Sequence, residues 1–138
     1  MKITNKVELM APAGDFESLQ AALDNGADSI YFGVEQLNMR ARSTVNFSLE
    51  DLPTIAQRCT EKGVRSYLTL NTIVYDHDLS MVQTLLQQAH AAGISAVIAS
   101  DQAVIASARA IGMEVHLSTQ LNITNIETIR FYSLFADT

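Results

Sequence analysis

The chain has 138 residues, with nine Lys+Arg against fifteen Asp+Glu for a formal charge of −6, and 48% of its residues are hydrophobic. This is enough apolar side chain for the core of one globular domain, and it excludes a disordered chain. The acidic balance excludes nucleic-acid binding by bulk electrostatics, which draws on a surplus of Lys and Arg, but leaves room for a local basic patch.

Short apolar runs alternate with helical patterns. Val7-Glu8-Leu9-Met10 reads as a first strand, stopped by the breaker cluster Ala11-Pro12-Ala13-Gly14. Asp15 has the residue type of a helix N-cap, Phe16, Leu19, Ala22 and Leu23 recur at helical spacing, and Gly26 marks the stop. Ser29-Ile30-Tyr31-Phe32 is the second strand, ended by Gly33. A polar connection from Glu35 to Phe47 follows, too long for a plain turn. Ser48-Leu49-Glu50-Asp51 then has the form of a capping box, Leu52, Ile55, Ala56 and Cys59 line one face of the second helix, and Gly63 ends it.

Arg65 to Leu70 is the third strand. Asp78 is expected to cap a third helix with Val82, Leu85, Leu86 and Ala89 inward and Gly93 at its end. Ala96-Val97-Ile98-Ala99 is the fourth strand. Ser100 or Asp101 caps a fourth helix with Val104, Ile105, Ala108 and Ile111 inward, stopped at Gly112. Val115-His116-Leu117 is the fifth strand, and a fifth helix begins near Thr124, with Glu127 placed for a capping box. A sixth strand is expected to begin at Ala136-Asp137-Thr138.

Strand–helix alternation forces parallel pairing through right-handed crossovers. The fold class is therefore α/β, built from about five βα units. The repeat suits a barrel or an open doubly wound sheet, and the lack of G-x-G-x-x-G after the first strand weakens the dinucleotide-binding form of the latter. A complete (β/α)₈ barrel takes about 200 residues or more. Residues 1–138 are thus expected to be a partial, TIM-barrel-like domain, the N-terminal segment of a longer protein. Val7, Leu9, Ile30, Phe32, Leu68, Leu70, Val97 and Ile98 are expected to be left as exposed apolar surface. A homo-oligomer of the isolated segment is the expected consequence.

In any parallel α/β fold the residues following each strand converge on one face. Here they are Ala11-Pro12-Ala13-Gly14, then Gly33, Arg40, Arg42, Asn46 and Phe47, then Asn71 and Thr72, then Ser100 and Asp101, then Ser118, Thr119 and Gln120. The set is polar, and an arginine fork suits a carboxylate or phosphate, so the face fits a small polar or anionic ligand. Arg40 and Arg42 are equally readable as solvated loop charges. Asn71 and Ser118-Thr119-Gln120 are readable as turn formers. His116 reads as a packed core residue, His77 as an exposed loop residue, His90 as a helix-end charge and Cys59 as core.

No G-x-S-x-G and no H-E-x-x-H occurs, so neither a serine hydrolase nor a zinc protease is indicated. The one cysteine makes no internal disulfide and supplies no metal or iron–sulfur site alone, so none is expected in this segment. No run approaches the roughly 18 apolar residues of a membrane span, and the N-terminus has no apolar signal core. A cytoplasmic protein without membrane contact is expected.

The blocks ELMAPAGDFESLQAAL, GADSIYFG, LNMRARSTVNF, YLTLNTIVYD and HLSTQLNITN, in this order from Glu8 to about Asn125, resemble the N-terminal part of the collagenase-like peptidases, a family of unassigned catalytic type. The resemblance implies a TIM-barrel-like N-terminal domain. It implies a peptidase, with a peptide as substrate. Alternatively it implies part of a protein for hydroxylation of tRNA or ribosomal RNA or for ubiquinone synthesis, in which a downstream four-cysteine 4Fe-4S cluster and RNA would enter the full-length protein. A third reading is a non-catalytic RNA-recognition or scaffold domain. Two departures stand out: Val34 follows Gly33 where many relatives have a second glycine, and Ser100-Asp101-Gln102 replaces a Gln-Asp-Leu-type stretch. Carried over as substrate-contacting candidates are Arg40, Arg42, Asn46, Asn71, Ser118, Thr119 and Gln120, with catalytic residues unassigned.

Overall fold

A computed structural model of the chain describes residues 7–35 and 47–138. Its centre is a parallel sheet of five strands, β1 (Met10–Pro12), β2 (Ser29–Phe32), β3 (Arg65–Leu70), β4 (Ala96–Ala99) and β5 (Glu114–Leu117), adjacent in chain order. Helices α1 (Phe16–Asp24), α2 (Leu52–Glu61), α3 (Leu79–Ala92) and α4 (Gln102–Ala110) form the crossovers, and α5 (Ile126–Tyr132) follows β5. A doubly wound sheet reverses its strand order at a switch point. This sheet does not, so right-handed crossovers put its helices on one side. That is the geometry of a TIM-barrel-like wall rather than an open nucleotide-binding sheet.

The register and the two-residue strand period then sort the side chains. Ile30, Phe32, Leu68, Leu70, Val97, Ala99 and Val115 point to the helices and are buried there with Leu19, Leu52, Ile55, Val82, Leu85, Leu86 and Val104. Each such large side chain contributes roughly 1.5–3 kcal/mol by leaving water. The expected exposed apolar surface is therefore corrected. Ile30, Phe32, Leu68, Leu70 and Val97 lie under the helices, Ile98 is half-buried on the other face, and Val7 and Leu9 alone of that set are exposed.

Several element ends also differ from expectation. β1 runs through Pro12 rather than stopping before it. Ala13 N–H donates to the Tyr31 carbonyl at 2.9 Å, so the neighbouring Pro12 nitrogen points to the free sheet edge, where a missing donor is harmless. Phe47 is no ligand-facing loop residue: it is buried, edge-on to Phe16 and Phe32, and Val34 bridges it in parallel sense. Asp78 has helical backbone and makes no cap of α3. Its carboxylate accepts from Tyr75 N–H at 3.0 Å, and a 3₁₀ turn over Asp76–Asp78 leads into the helix. Asn125, not Thr124, caps α5, accepting from Thr128 N–H, while Glu127 pairs with Arg130 instead of closing a box.

The remaining starts match the expectation. Asp15 and Ser18 exchange hydrogen bonds at the head of α1. Asp51 accepts from the Ser48 amide and hydroxyl. Asp101 accepts from Ala103 N–H at 2.8 Å. Past β5, Asp137 and Thr138 N–H donate to the Val115 carbonyl and Leu117 N–H donates to the Thr138 carbonyl, the parallel pattern where a sixth strand was expected.

Candidate functional site

The sheet face away from the helices is polar. Along it run Arg65, Tyr67 and Thr69 of β3, and Glu114 and His116 of β5, with Glu8 just before β1. Glu8 accepts from the Tyr67 hydroxyl at 2.6 Å. The Ser29 hydroxyl, adjacent though outside good hydrogen-bond geometry, and the Tyr67 hydroxyl hold the Glu8 carboxyl below the usual carboxylate range, Arg65 and His116 adding to them. Burial, with the Glu8 carboxylate beside it, pushes Tyr67 up to about 12. Arg65 Nη2 reaches Glu114 Oε2 at 2.6 Å, and Glu114 Oε1 lies 2.7 Å from His116 Nε2. The His116 ring packs on Tyr67 at 4.6 Å between centroids, and the Arg65 guanidinium lies over Tyr67 at 5.2 Å.

Toward the C-terminal ends of the strands this face opens into a cleft of about 480 Å³, lined among others by Tyr31, Thr69, Asn71, His116, Ser118 and Thr119. Thr69 spends its hydroxyl proton on the Phe32 carbonyl at 2.6 Å. Ser118, nearly buried, accepts from Gln120 N–H and starts the 3₁₀ turn Thr119–Leu121. Ser100 Oγ lies 3.2 Å from the Asn71 carbonyl and 3.3 Å from Gln120 Oε1, tying the ends of β3, β4 and β5 together. The Asn71 side-chain oxygen is buried without a hydrogen-bond partner. Such an acceptor is costly unless a donor meets it.

Of the residues expected on this face, Asn71, Ser118 and Thr119 line the cleft. Gln120 stands outside its lining, as does Ser100, whose hydroxyl lies between Gln120 Oε1 and the carbonyl of the cleft residue Asn71. Arg40, Arg42 and Asn46 lie outside the described residues. His116, read from sequence as packed core, is indeed buried, but it also carries a hydrogen-bond partner in Glu114 and a wall of the cleft. Glu114 stands two residues before it on the same strand. That spacing places both side chains on one face and was the signal that would have joined them.

His77 stacks on Tyr75 and is exposed, and His90 is exposed late in α3. Cys59 is buried in the helix layer, its thiol pushed up to about 11 by that burial, which suits neither a nucleophile nor a metal ligand. Among the described residues no group of three or more His, Cys, Asp or Glu gathers to hold a metal ion, and no helix is long and apolar enough to cross a membrane.

A single-order parallel sheet with a polar inner face and a cleft at its strand ends defines a TIM-barrel-like α/β domain. The chain belongs to Peptidase family U32, whose model matches residues 14–136. It is 59% identical over 133 residues to a collagenase of Porphyromonas gingivalis, covering 96% of this chain and 32% of that protein. It is 30% identical over 132 residues to a tRNA hydroxylation protein of Bacillus subtilis, covering 94% of this chain and 31% of that protein. A solved U32 peptidase superposes with a TM-score of 0.75 at 14% identity, covering 99% of this chain and 59% of that one, a likeness of fold. The chain spans about a third of the length of the curated relatives it matches.

Proposed function

We propose that residues 1–138 form the substrate-binding part of a longer cytoplasmic barrel protein, whose cleft takes a peptide or another small polar or anionic ligand. The observation that carries this reading is the buried, unpartnered Asn71 oxygen in a polar cleft at the strand ends. It asks for a ligand hydroxyl, amine or amide N–H. Arg40 and Arg42 are the proposed anion-binding partners. A reduced, buried Cys59 suits a cytoplasmic setting.

Peptide cleavage by these residues alone is not part of the proposal. Ser118 Oγ is engaged as the cap of its own turn, and no described serine, threonine or cysteine is hydrogen-bonded to a histidine. The tRNA hydroxylation relative supports a second reading, in which the same face binds RNA in a longer protein. A 4Fe-4S cluster does not fit this chain, since one cysteine cannot supply four thiolates. Such a cluster belongs to the proposal only as a group held by further chain. The charge of −6 weighs against RNA as a ligand of this part by itself.

Calorimetric titration of highly purified protein with gelatin-derived peptides, and separately with tRNA, tests the reading. Peptide binding that weakens in Asn71→Ala, with no turnover of gelatin or casein, is expected. Binding of tRNA alone would favour the second reading. Turnover abolished by a substitution in this segment would overturn the proposal.

A further inference from the structure

His116 is a titratable side chain framed by its own strand, by β3 and by the segment before β1. Its side chain keeps 11% of its surface exposed, and the residue lines the cleft. Glu114 faces it from its own strand, Tyr67 and Arg65 from β3, and Glu8, through Tyr67, from the segment before β1. Glu114 is itself fixed by Arg65 at 2.6 Å. A carboxylate only accepts, so the 2.7 Å contact places the proton of the neutral ring on Nε2. The other nitrogen, Nδ1, then carries a bare lone pair. A carboxylate-oriented imidazole with its second nitrogen unprotonated is the arrangement by which a histidine takes a proton from a bound group.

We infer that His116 is a proton acceptor for a ligand held in the cleft, with Glu114 and Arg65 as its positioning residues. The inference rests on the cleft being a ligand site, and it narrows the ligand class. The ligand carries a hydroxyl or amine that hands its proton to Nδ1, and a second donor that meets the Asn71 oxygen. Asn71 stands two strands across from His116 and two residues further along, so their backbones are roughly 12 Å apart. In the transfer the ligand O–H or N–H bond breaks, its electron pair stays on the ligand heteroatom, and the N–H bond forms at Nδ1. The resulting imidazolium keeps its Nε2–H on Glu114, whose charge balances it. No oxidant, reductant or metal enters the step.

The sequence holds three histidines. His77→Gln with His90→Gln, both at exposed positions, leaves His116 as the single imidazole. Nitrogen-15 NMR of this protein labelled at histidine is expected to show the neutral ring protonated at Nε2. Diethyl pyrocarbonate, a small acylating reagent, is expected to modify His116 in the native fold, and several-fold more slowly in Glu114→Gln, because the carboxylate enriches the ring's free lone pair. A ring protonated at Nδ1, or a His116 that reacts only after unfolding in urea, would overturn the inference, as would an unchanged rate in the folded Glu114→Gln variant. The NMR signature needs no substitution at Glu114, so it stands even if that variant does not fold. Expected histidine behaviour without peptide binding would fault the ligand reading alone. Peptide binding with an inert His116 would fault the dyad alone.

Discussion

Tyr67 and Cys59 are acids that folding keeps protonated, on opposite sides of the sheet. Burial is the first cause in both. For Tyr67 it is reinforced by the Glu8 carboxylate, which accepts the phenol proton in a 2.6 Å hydrogen bond. Their values rise from an ordinary 10.0 to about 12 and from 9.0 to about 11. A raised folded value means the native state binds more protons than the unfolded one between the two values. The contribution is therefore complete below pH 9 for the thiol and below pH 10 for the phenol, and it is lost as pH climbs toward about 11 and about 12. Urea midpoints should fall between about pH 8 and about pH 11, and Cys59→Ala should remove the thiol's share of that slope. Midpoints that stay level would mean neither group is shielded from water as described. The site was less legible than the core at this scale. Asn71, Ser118 and Thr119 were reachable from sequence because strand ends converge in any parallel fold. The Glu8–Tyr67 and Arg65–Glu114–His116 contacts span strands up to 59 residues apart, and no local pattern states which distant side chains share a face.

Helix and strand interiors followed the apolar periodicity closely. The buried stripes Leu52, Ile55, Ala56, Cys59 and Val82, Leu85, Leu86, Ala89 are those the spacing marks out. Starts were less certain because several neighbouring side chains compete for the same few free amides. Asp78 bonds backward to Tyr75, and Glu127 bonds forward to Arg130, so neither takes the cap its position offered. Stops were more legible, since a glycine past a helix answers a backbone demand rather than a choice of partner. Gly93 has φ +90° and Gly112 has φ +75°, and each sends the chain directly into a strand. An alanine Cβ at Gly93 would meet nothing within 4 Å, so any penalty there is conformational rather than steric crowding with neighbours. Gly93→Ala should therefore lower stability by about 1–2 kcal/mol, read from the urea midpoint, with the native circular dichroism retained. A neutral effect would show that the turn relaxes to a negative φ without loss.

At the scale of the molecule, sequential strand order decides what water meets. Helices cover one face of the sheet, so Ile30, Phe32, Leu68, Leu70 and Val97 are buried beneath them, and the opposite face carries the polar side chains Arg65, Tyr67, Thr69, Glu114 and His116. The apolar surface that remains lies elsewhere. Helix α5 buries none of its residues, and Ile126, Ile129, Phe131 and Leu134 are each more than half exposed, with Phe135 beside them. Phe131 and Phe135 also wall an apolar hollow against Ile105 and Arg109 of α4. Val7 and Leu9 add exposed surface at the β1 edge, 86% and 58% open. Exposed apolar surface on an unburied helix tends to find a partner. A second copy of the 138-residue chain supplies the same apolar helix, and a self-complementary contact closes as a symmetric dimer. Light scattering across a dilution series should therefore give a mass that climbs above 15.1 kDa as concentration rises. The double substitution Phe131→Ser with Leu134→Ser should hold the mass at the monomer value while leaving the hydrophobic core, which includes neither residue, folded. A mass of 15.1 kDa at every concentration for the unaltered chain would show that α5 tolerates water and that the domain is a monomer in this form.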